Sequence, residues 1–531
     1  MTTQQPKPNA QLGLRRTMVI NTLSNYGKMI IGIAITIFLT RILFLGLSRE
    51  EYGFWALLWS IFGYSLLLDF GFGVSIQKYT SETVVTQDWE KYNRIVSTVF
   101  FNYLMLSGLI ALAGFVISFN LHRLFSFSPA NEAYYRSVSL IFGIGSAIVF
   151  PFGFFSEIMR GLQKMHLRNI FQILFSVMNF LGLAGVVYLK MDLRVMAMVA
   201  IGINLFANLT MATVAHRLLP KMKIRTSYYD KTLLRSVMGF SFYAYLITFT
   251  NLVIFRTDQL VISIFGSVAL VAVFQISSRL AETFRQFSAQ FLDNLGPVAA
   301  SLHAAGNKGK MAEIMLQSNR LMGIIATLLL IPLLVYVKPL LQIWLNLNDT
   351  AGAICAIILL LSMYNLLFFR SSSVYILLMA NEQKLLSRIA IIECIANLGL
   401  SILLILNMQQ ITEYFGWKIP NANIIGVALG TLIPNVLLAF IFNIPKACRF
   451  ANITIYEYFR VAVFRTVLIG IATASVSYLM YRLYYPTSLW MILFYCALTG
   501  FFYVMMTYVF GLEKWEQGQL KTALFKRFKR G

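Results

Sequence analysis

The chain has 531 residues, of which 58% are hydrophobic and only 12% charged, and its mean hydropathy is +0.71. That composition excludes both an ordinary soluble domain and a disordered chain. The net charge of +23 would point to nucleic acid in a soluble protein, but here the basic residues lie between apolar runs and read as a topology signal.

Fourteen apolar stretches follow one another, each about 20 to 28 residues long, the length one helix needs to cross a bilayer. The expected fold class is therefore an all-α integral membrane protein. Residues 1–17 form a polar N-terminal tail ending near Arg15 and Arg16. The run that follows, Met18 to Leu43, is too long for a signal h-region and lacks a small-residue cleavage site, so it is expected to be a retained first span. Further spans are expected near 54–78, 95–119, 134–159, 170–189 and 195–218, which makes 18–218 a six-helix bundle. The basic segment 219–235 carries Lys221, Lys223, Arg225, Lys231 and Arg235 and reads as a hinge between halves. A second six-helix bundle, 236–447, follows with spans near 236–264, 268–295, 312–337, 350–378, 387–407 and 424–447. Two more spans lie within 458–511, and 512–531 is a basic tail.

Counting Lys and Arg alternately between spans gives about 28 on the side holding both termini and about 7 on the other, which places both termini in the cytoplasm by the positive-inside rule. Trp55, Trp344, Trp417 and Trp490 fall at expected outer span ends, as an aromatic belt requires. Cys355, Cys394, Cys448 and Cys496 stand singly, so neither a disulfide framework nor a metal site is expected. No P-loop, dinucleotide fingerprint or zincin motif occurs, and no catalytic group is assigned. The longest expected external loop, about Met408 to Asn423, is too short to carry the active site of a membrane glycan polymerase or ligase.

Leu43-Phe44-Leu45-Gly46 with Tyr52-Gly53-Phe54-Trp55 in the first half is echoed by Ile262 to Gly266 with Val271-Ala272-Val273-Phe274 in the second. Internal symmetry of this kind marks transporters built from repeats. The stretch Asp69-Phe-Gly71-Phe-Gly73 with Ser75-Ile-Gln-Lys78-Tyr79 resembles the matching segment of polysaccharide (O-antigen and exopolysaccharide) flippases of the multidrug/oligosaccharidyl-lipid/polysaccharide exporter superfamily. So do Asp258 to Gly266 with Phe274 to Ser277, Pro297 to Gly306, Pro339 to Trp344, and Gly426-Val-Ala-Leu-Gly430-Thr431. Where that family often opens span 8 with Val-Gly-x-Tyr, this chain has Val271-Ala272-Val273-Phe274. The resemblance implies two six-helix bundles around a central cavity, spans 13 and 14 outside them, and transfer of prenyl-diphosphate-linked oligosaccharide units across the cell (inner) membrane by alternating access. Membrane lipids, a polysaccharide polymerase and a chain-length regulator are the partners it implies.

The residues themselves bear on the cargo. Lys28, Asp69, Arg256, Asp258, Arg279, Glu282 and Arg285 fall within hydrocarbon depth, where seven lipid-facing charges would cost on the order of 20 kcal/mol. They must line an aqueous cavity or pair internally. On span 8, Gln275, Arg279, Glu282, Gln286, Gln290 and Asp293 recur in steps of three and four, one polar stripe on a helix, with Arg285 beside it. Lys28 and Asp69 lie at similar depth on sequential spans, so they form either an ion pair between helices or a phosphate-facing lysine with its controlling acid. Arg256 and Asp258 point about 160° apart on a helix, and which of them faces the cavity stays open. Arg370 and Glu393 read as a structural pair or a gate.

A diphosphate favours Arg, which binds it bidentately, whereas a cation exporter favours carboxylates without competing cations. Lys28, Arg256, Arg279 and Arg285 are accordingly the expected substrate-binding residues. Asp69, Asp258 and Glu282 are expected as counter-ions or as Na+ or H+ coupling sites. No other cofactor, no metal and no nucleic acid is expected. The alternatives are a peptidoglycan-precursor lipid flippase and a multidrug cation antiporter of the same fold.

Overall fold

The computed structural model describes residues 8–125, 131–233, 242–289, 308–379, 382–512 and 516–518. Gln290 and Asp293 of the polar stripe, most of the Pro297–Gly306 to Lys310 region, Arg235 and the tail from 519 onward lie outside the described residues. The described chain is helical without strands, and twelve of its helices are long and apolar enough to cross a membrane. The expected spans 54–78 and 268–295 are not among those twelve. The first is broken midway, and the second carries the polar stripe.

Contacts divide the chain into two compact units, Met1–Ala272 and Val273–Gly531. In the first, helix α1 (Pro8–Gly46) begins ten residues before the expected span. Helix α2 (Arg49–Gly63) starts on a capping box: the Glu51 amide donates to Ser48 Oγ at 3.2 Å and the Ser48 amide donates to Glu51 Oε2 at 3.0 Å. It ends in a 3-10 turn, Tyr64–Asp69, and then Phe70 (φ 46°) and Gly71 (φ 81°) take left-handed conformations. Two such residues in succession stop the helical hydrogen-bond ladder, so the span expected to be continuous restarts as α3 (Phe72–Thr86). Asp69 closes the break, because its Oδ1 accepts from the Gly73 amide at 3.2 Å, where an acid offsets the exposed amides of a helix start.

Helix α4 (Trp89–Phe119), α5 (Glu132–Val149), the short α6 (Phe155–Gly161), α7 (Met165–Tyr188) and α8 (Leu193–Leu218) complete most of this unit. Its apolar core joins Phe72 and Ile76 to Tyr92, Phe154, Ile158 and Met211. The basic linker is fastened rather than free over its first part. Asn93 on α4 receives the Lys223 amide at 2.8 Å and donates to the Lys221 carbonyl at 3.3 Å, and Thr98 Oγ1 receives the Asp230 amide at 3.0 Å. Helix α9 (Phe242–Phe265), grouped by sequence with the second bundle, packs on α2 in the first unit. Ser60 Oγ donates to the Arg256 carbonyl at 2.7 Å, and Tyr64 Oη lies 2.7 Å from Thr257 Oγ1. Gly53 makes the neighbouring contact possible, since a Cβ there would stand 1.9 Å from the Val268 carbonyl oxygen at the start of α10 (Val268–Ala289).

The second unit contains the rest of α10, then α11 (Lys308–Leu345), α12 (Thr350–Tyr364), α13 (Ser371–Met379), α14 (Gln383–Tyr414) and α15 (Asn423–Leu438). Glycines 426 and 430 let α15 lie against the α14 backbone; a Cβ on Gly430 would come within 2.7 Å of Ser401 Cα. The last two spans centre on α16 (Phe464–Leu483) and α17 (Leu489–Met506), and both pack on α11. Ile331, Ile469 and Tyr503 meet there, and Tyr336 meets Ile492 and Tyr495. Single π-helical turns, including Asn365–Arg370 between α12 and α13, interrupt four spans of this unit.

Candidate functional site

A cavity of about 610 Å³ lies within the first unit. Because α2 stops at Gly63 and α3 begins at Phe72, the break between them leaves polar backbone and Asp69 beside it. Asp69, Glu157, Arg160, Asn204, Asn208 and Arg256 are its main polar lining. Trp59, Phe62, Tyr103, Phe142, Phe150 and Phe154 make its aromatic walls. Buried charge of this kind is tolerated in apolar spans only where each group is paired or wet.

Each polar residue is positioned by identifiable contacts. The Tyr103 hydroxyl donates to Asp69, which also caps α3. Arg256 Nη1 donates to the Trp59 carbonyl at 3.3 Å, and its guanidinium lies beside Gly63, where a Cβ would be 3.3 Å from Cζ. Glu157 holds two cations: Oε2 accepts from Arg160 Nη1 at 3.0 Å and Oε1 from Arg168 Nη2 at 3.2 Å. Arg160 is 42% exposed, Arg168 19% and Glu157 17%.

Arg256 lines the cavity, while Asp258 is 5% exposed in the packing around α9. Lys28 does not meet Asp69. The two share no ion pair, because α1 runs along α7 and makes only slight contact with α2. Asn169 of α7, buried at 2%, donates to Ser24 Oγ at 2.9 Å and to Asn25 Oδ1 at 2.6 Å. One turn later Lys28 comes within electrostatic reach of Arg168, Arg160 and Glu157. The expectation of a lysine and aspartate pair on sequential spans is thus replaced by a lysine added to an arginine and glutamate group.

In the second unit, Arg279, Glu282 and Arg285 lie half-buried on α10. Arg279 Nη1 and Glu282 Oε2 pair across one turn at 3.6 Å. Arg370, in the π-helical turn, pairs with Glu393 of α14 through Nη1 at 2.7 Å from Oε1 and 2.6 Å from Oε2. Those two are 12% and 6% exposed, so the pair is buried between consecutive spans.

Glu157, Arg160 and Arg168 were not singled out from sequence. The signal was present: Glu157 is an acid inside the apolar run 134–159, and Arg160 follows it by three residues, one helical turn away. Arg160 and Arg168 read as ordinary basic residues flanking spans, which hid them. No group of His, Cys, Asp and Glu among the described residues is arranged to hold a metal ion.

The sequence profile described as Polysaccharide biosynthesis protein matches residues 14–303. The chain belongs to that family. The fold resembles that of the lipid II flippase MurJ in an inward closed conformation, with a TM-score of 0.66 at 13% identity, over 93% of this chain and 98% of that one. It also resembles an inward-facing multidrug resistance MATE family transporter of the MOP superfamily, with a TM-score of 0.63 at 14% identity, over 80% of this chain and 98% of that one. No curated protein sequence matches the chain. This family member is therefore a multi-pass membrane protein with the fold of these transporters.

Proposed function

We propose that the protein is a flippase that moves prenyl-diphosphate-linked oligosaccharide repeat units across the cytoplasmic membrane by alternating access, for cell-surface polysaccharide biosynthesis. The observation that carries this reading is the cavity in the first unit, which sets Arg160 and Arg256 among aromatic walls and the amides Asn204 and Asn208. Arginine offers the bidentate donors a diphosphate takes, and amides with aromatic faces suit sugar hydroxyls and sugar rings. The family supports the pathway. Transport of this kind needs no covalent step, so no enzyme activity is assigned.

A cation exporter suits the cavity less well. Glu157 is already engaged by two arginines, so the lining sets Arg160 and Arg256 against Asp69 as its one acid not paired with a cation among the described residues. A peptidoglycan-precursor flippase would use the same diphosphate chemistry and differs in the sugar. In this reading both termini are cytoplasmic, Asp69 or Glu282 serves any Na+ or H+ coupling, and the polymerase and chain-length regulator receive the product.

The test uses the full chain in vesicles loaded with labelled lipid-linked oligosaccharide, with lipid II and a cationic dye as parallel cargoes. Wild type is expected to translocate the oligosaccharide lipid. Arg256→Ala is expected to slow it roughly ten- to hundredfold, the equivalent of about 1.5 to 3 kcal/mol for a charge-assisted hydrogen bond. Export of the dye with no movement of the diphosphate lipid would refute the proposal; faster movement of lipid II would reassign the sugar.

A further inference from the structure

Around Glu157 the positive groups outnumber the negative. Its two carboxylate oxygens are each taken by an arginine, Arg160 at 3.0 Å and Arg168 at 3.2 Å, and Lys28 stands within electrostatic reach of all three. The next acid, Asp69, is engaged by Tyr103 and by the amide at the start of α3. Arg168 Nε is buried with no hydrogen-bond partner, so the group holds more donors than Glu157 can satisfy. Glu157 and Arg160 face the cavity. A carboxylate bridging two guanidinium groups occupies the place, and makes the hydrogen bonds, that a phosphate would take there.

We propose that Glu157 is a built-in stand-in for phosphate: it holds Arg160 and Arg168 in position while the cavity is empty, competes with an arriving diphosphate, and drives its release. This rests on the reading of the cavity as a path for a diphosphate headgroup. Three cations without an acid would repel one another in the empty state and would hold a diphosphate too tightly to let it go. A transport site must bind well enough to load and weakly enough to unload. An acid inside a cationic seat meets both demands, since a phosphate with greater charge displaces it and its return expels the phosphate. Lys28, within electrostatic reach of the pair, adds attraction.

The experiment uses the full chain in phosphatidylcholine nanodiscs with inorganic pyrophosphate as the calorimetric probe, beside the vesicle transport assay. Glu157→Gln is expected to tighten pyrophosphate binding at least tenfold while slowing transport, and Arg160→Gln to weaken both. A folded Glu157→Gln protein that binds pyrophosphate no better than wild type overturns the proposal. If Glu157→Gln melts early, Glu157→Asp replaces it: the shorter carboxylate cannot span both arginines, binding should tighten several-fold, and unchanged binding again overturns the proposal. Nanodiscs containing phosphatidylglycerol separate the ligand sources. Loss of pyrophosphate binding to that lipid in wild type and Glu157→Gln alike would assign the seat to phospholipid headgroups and defeat the proposal; retention supports it. Tightened pyrophosphate binding in a protein that moves no lipid-linked sugar would leave the stand-in intact and refute only the cargo.

Discussion

In the second unit Arg370 and Glu393 meet one to one with 12% and 6% of their side chains exposed, whereas in the first Glu157 is shared by two arginines, one of them 42% exposed. Both groups sit on apolar spans, and both would be flagged by the same rule that intramembrane charge needs a reason. They differ in balance and in access. A balanced pair sealed between helices has nothing left to offer a ligand, so its charge serves packing. An unbalanced group at a cavity wall keeps donors available, so its charge can serve recognition. Ionisable residues in spans therefore divide by stoichiometry and exposure, neither of which the residue type discloses.

The comparison breaks first at the buried pair. Removing one partner strands the other charge in a dry setting, so Glu393→Ala is expected to destabilise the protein by roughly 3–5 kcal/mol, read as a lowered melting temperature in detergent. Arg370→Met with Glu393→Leu should recover most of that loss, because two apolar side chains leave no stranded charge. Restored stability together with normal transport identifies a strut. Restored stability with transport abolished would make the pair a gate and erase the distinction between the two groups.

The contrast also shows what could be read before the structure. The all-helical membrane fold was legible because apolar length and the alternation of basic residues are local properties of the chain, and Arg370 with Glu393 was legible because consecutive spans with one cation and one acid leave few other partners. The break at Phe70 and Gly71 was not, since the hydropathy of 54–78 is continuous across it and left-handed backbone at Phe70 has no signature in residue type. Lys28 was assigned the wrong neighbour for a related reason. Sequence order suggests that consecutive spans pack together, but the polar seam of Ser24, Asn25 and Asn169 seats α1 on α7. The Glu157 group was hidden because it assembles from three helices and its two arginines look like ordinary span flanks.

The next effect is smaller and concerns that seam. Since Lys28 and Asp69 share no ion pair, Lys28→Ala and Asp69→Asn should act independently, and the double variant should equal the sum of the singles within about 0.3–0.5 kcal/mol. Asp69→Asn alone is expected to cost no more than the low end of the about 0.5–2 kcal/mol lost when a helix-start acceptor is removed, because its amide oxygen can still accept from the Gly73 amide. A double-mutant cycle on thermal unfolding measures this. Rescue of the lysine variant by the aspartate variant would restore the pairing of α1 with the broken second span and remove Lys28 from the Glu157 group.

The smallest effect is expected on α10, where Arg279 and Glu282 pair at 3.6 Å with 37% and 46% of their side chains exposed. That exposure makes the pair unlike the buried Arg370–Glu393 pair, and a part-exposed ion pair across one helical turn contributes only about 0.2–1 kcal/mol. Glu282→Gln should therefore leave the melting temperature nearly unchanged. Its transport phenotype carries the information. If α10 contributes a second phosphate contact through Arg279, freeing that arginine from its acid should alter transport while stability holds. A stability loss as large as that of Glu393→Ala would mean that exposure does not separate struts from sites in this protein, and the division drawn between the two ion groups would have to be abandoned.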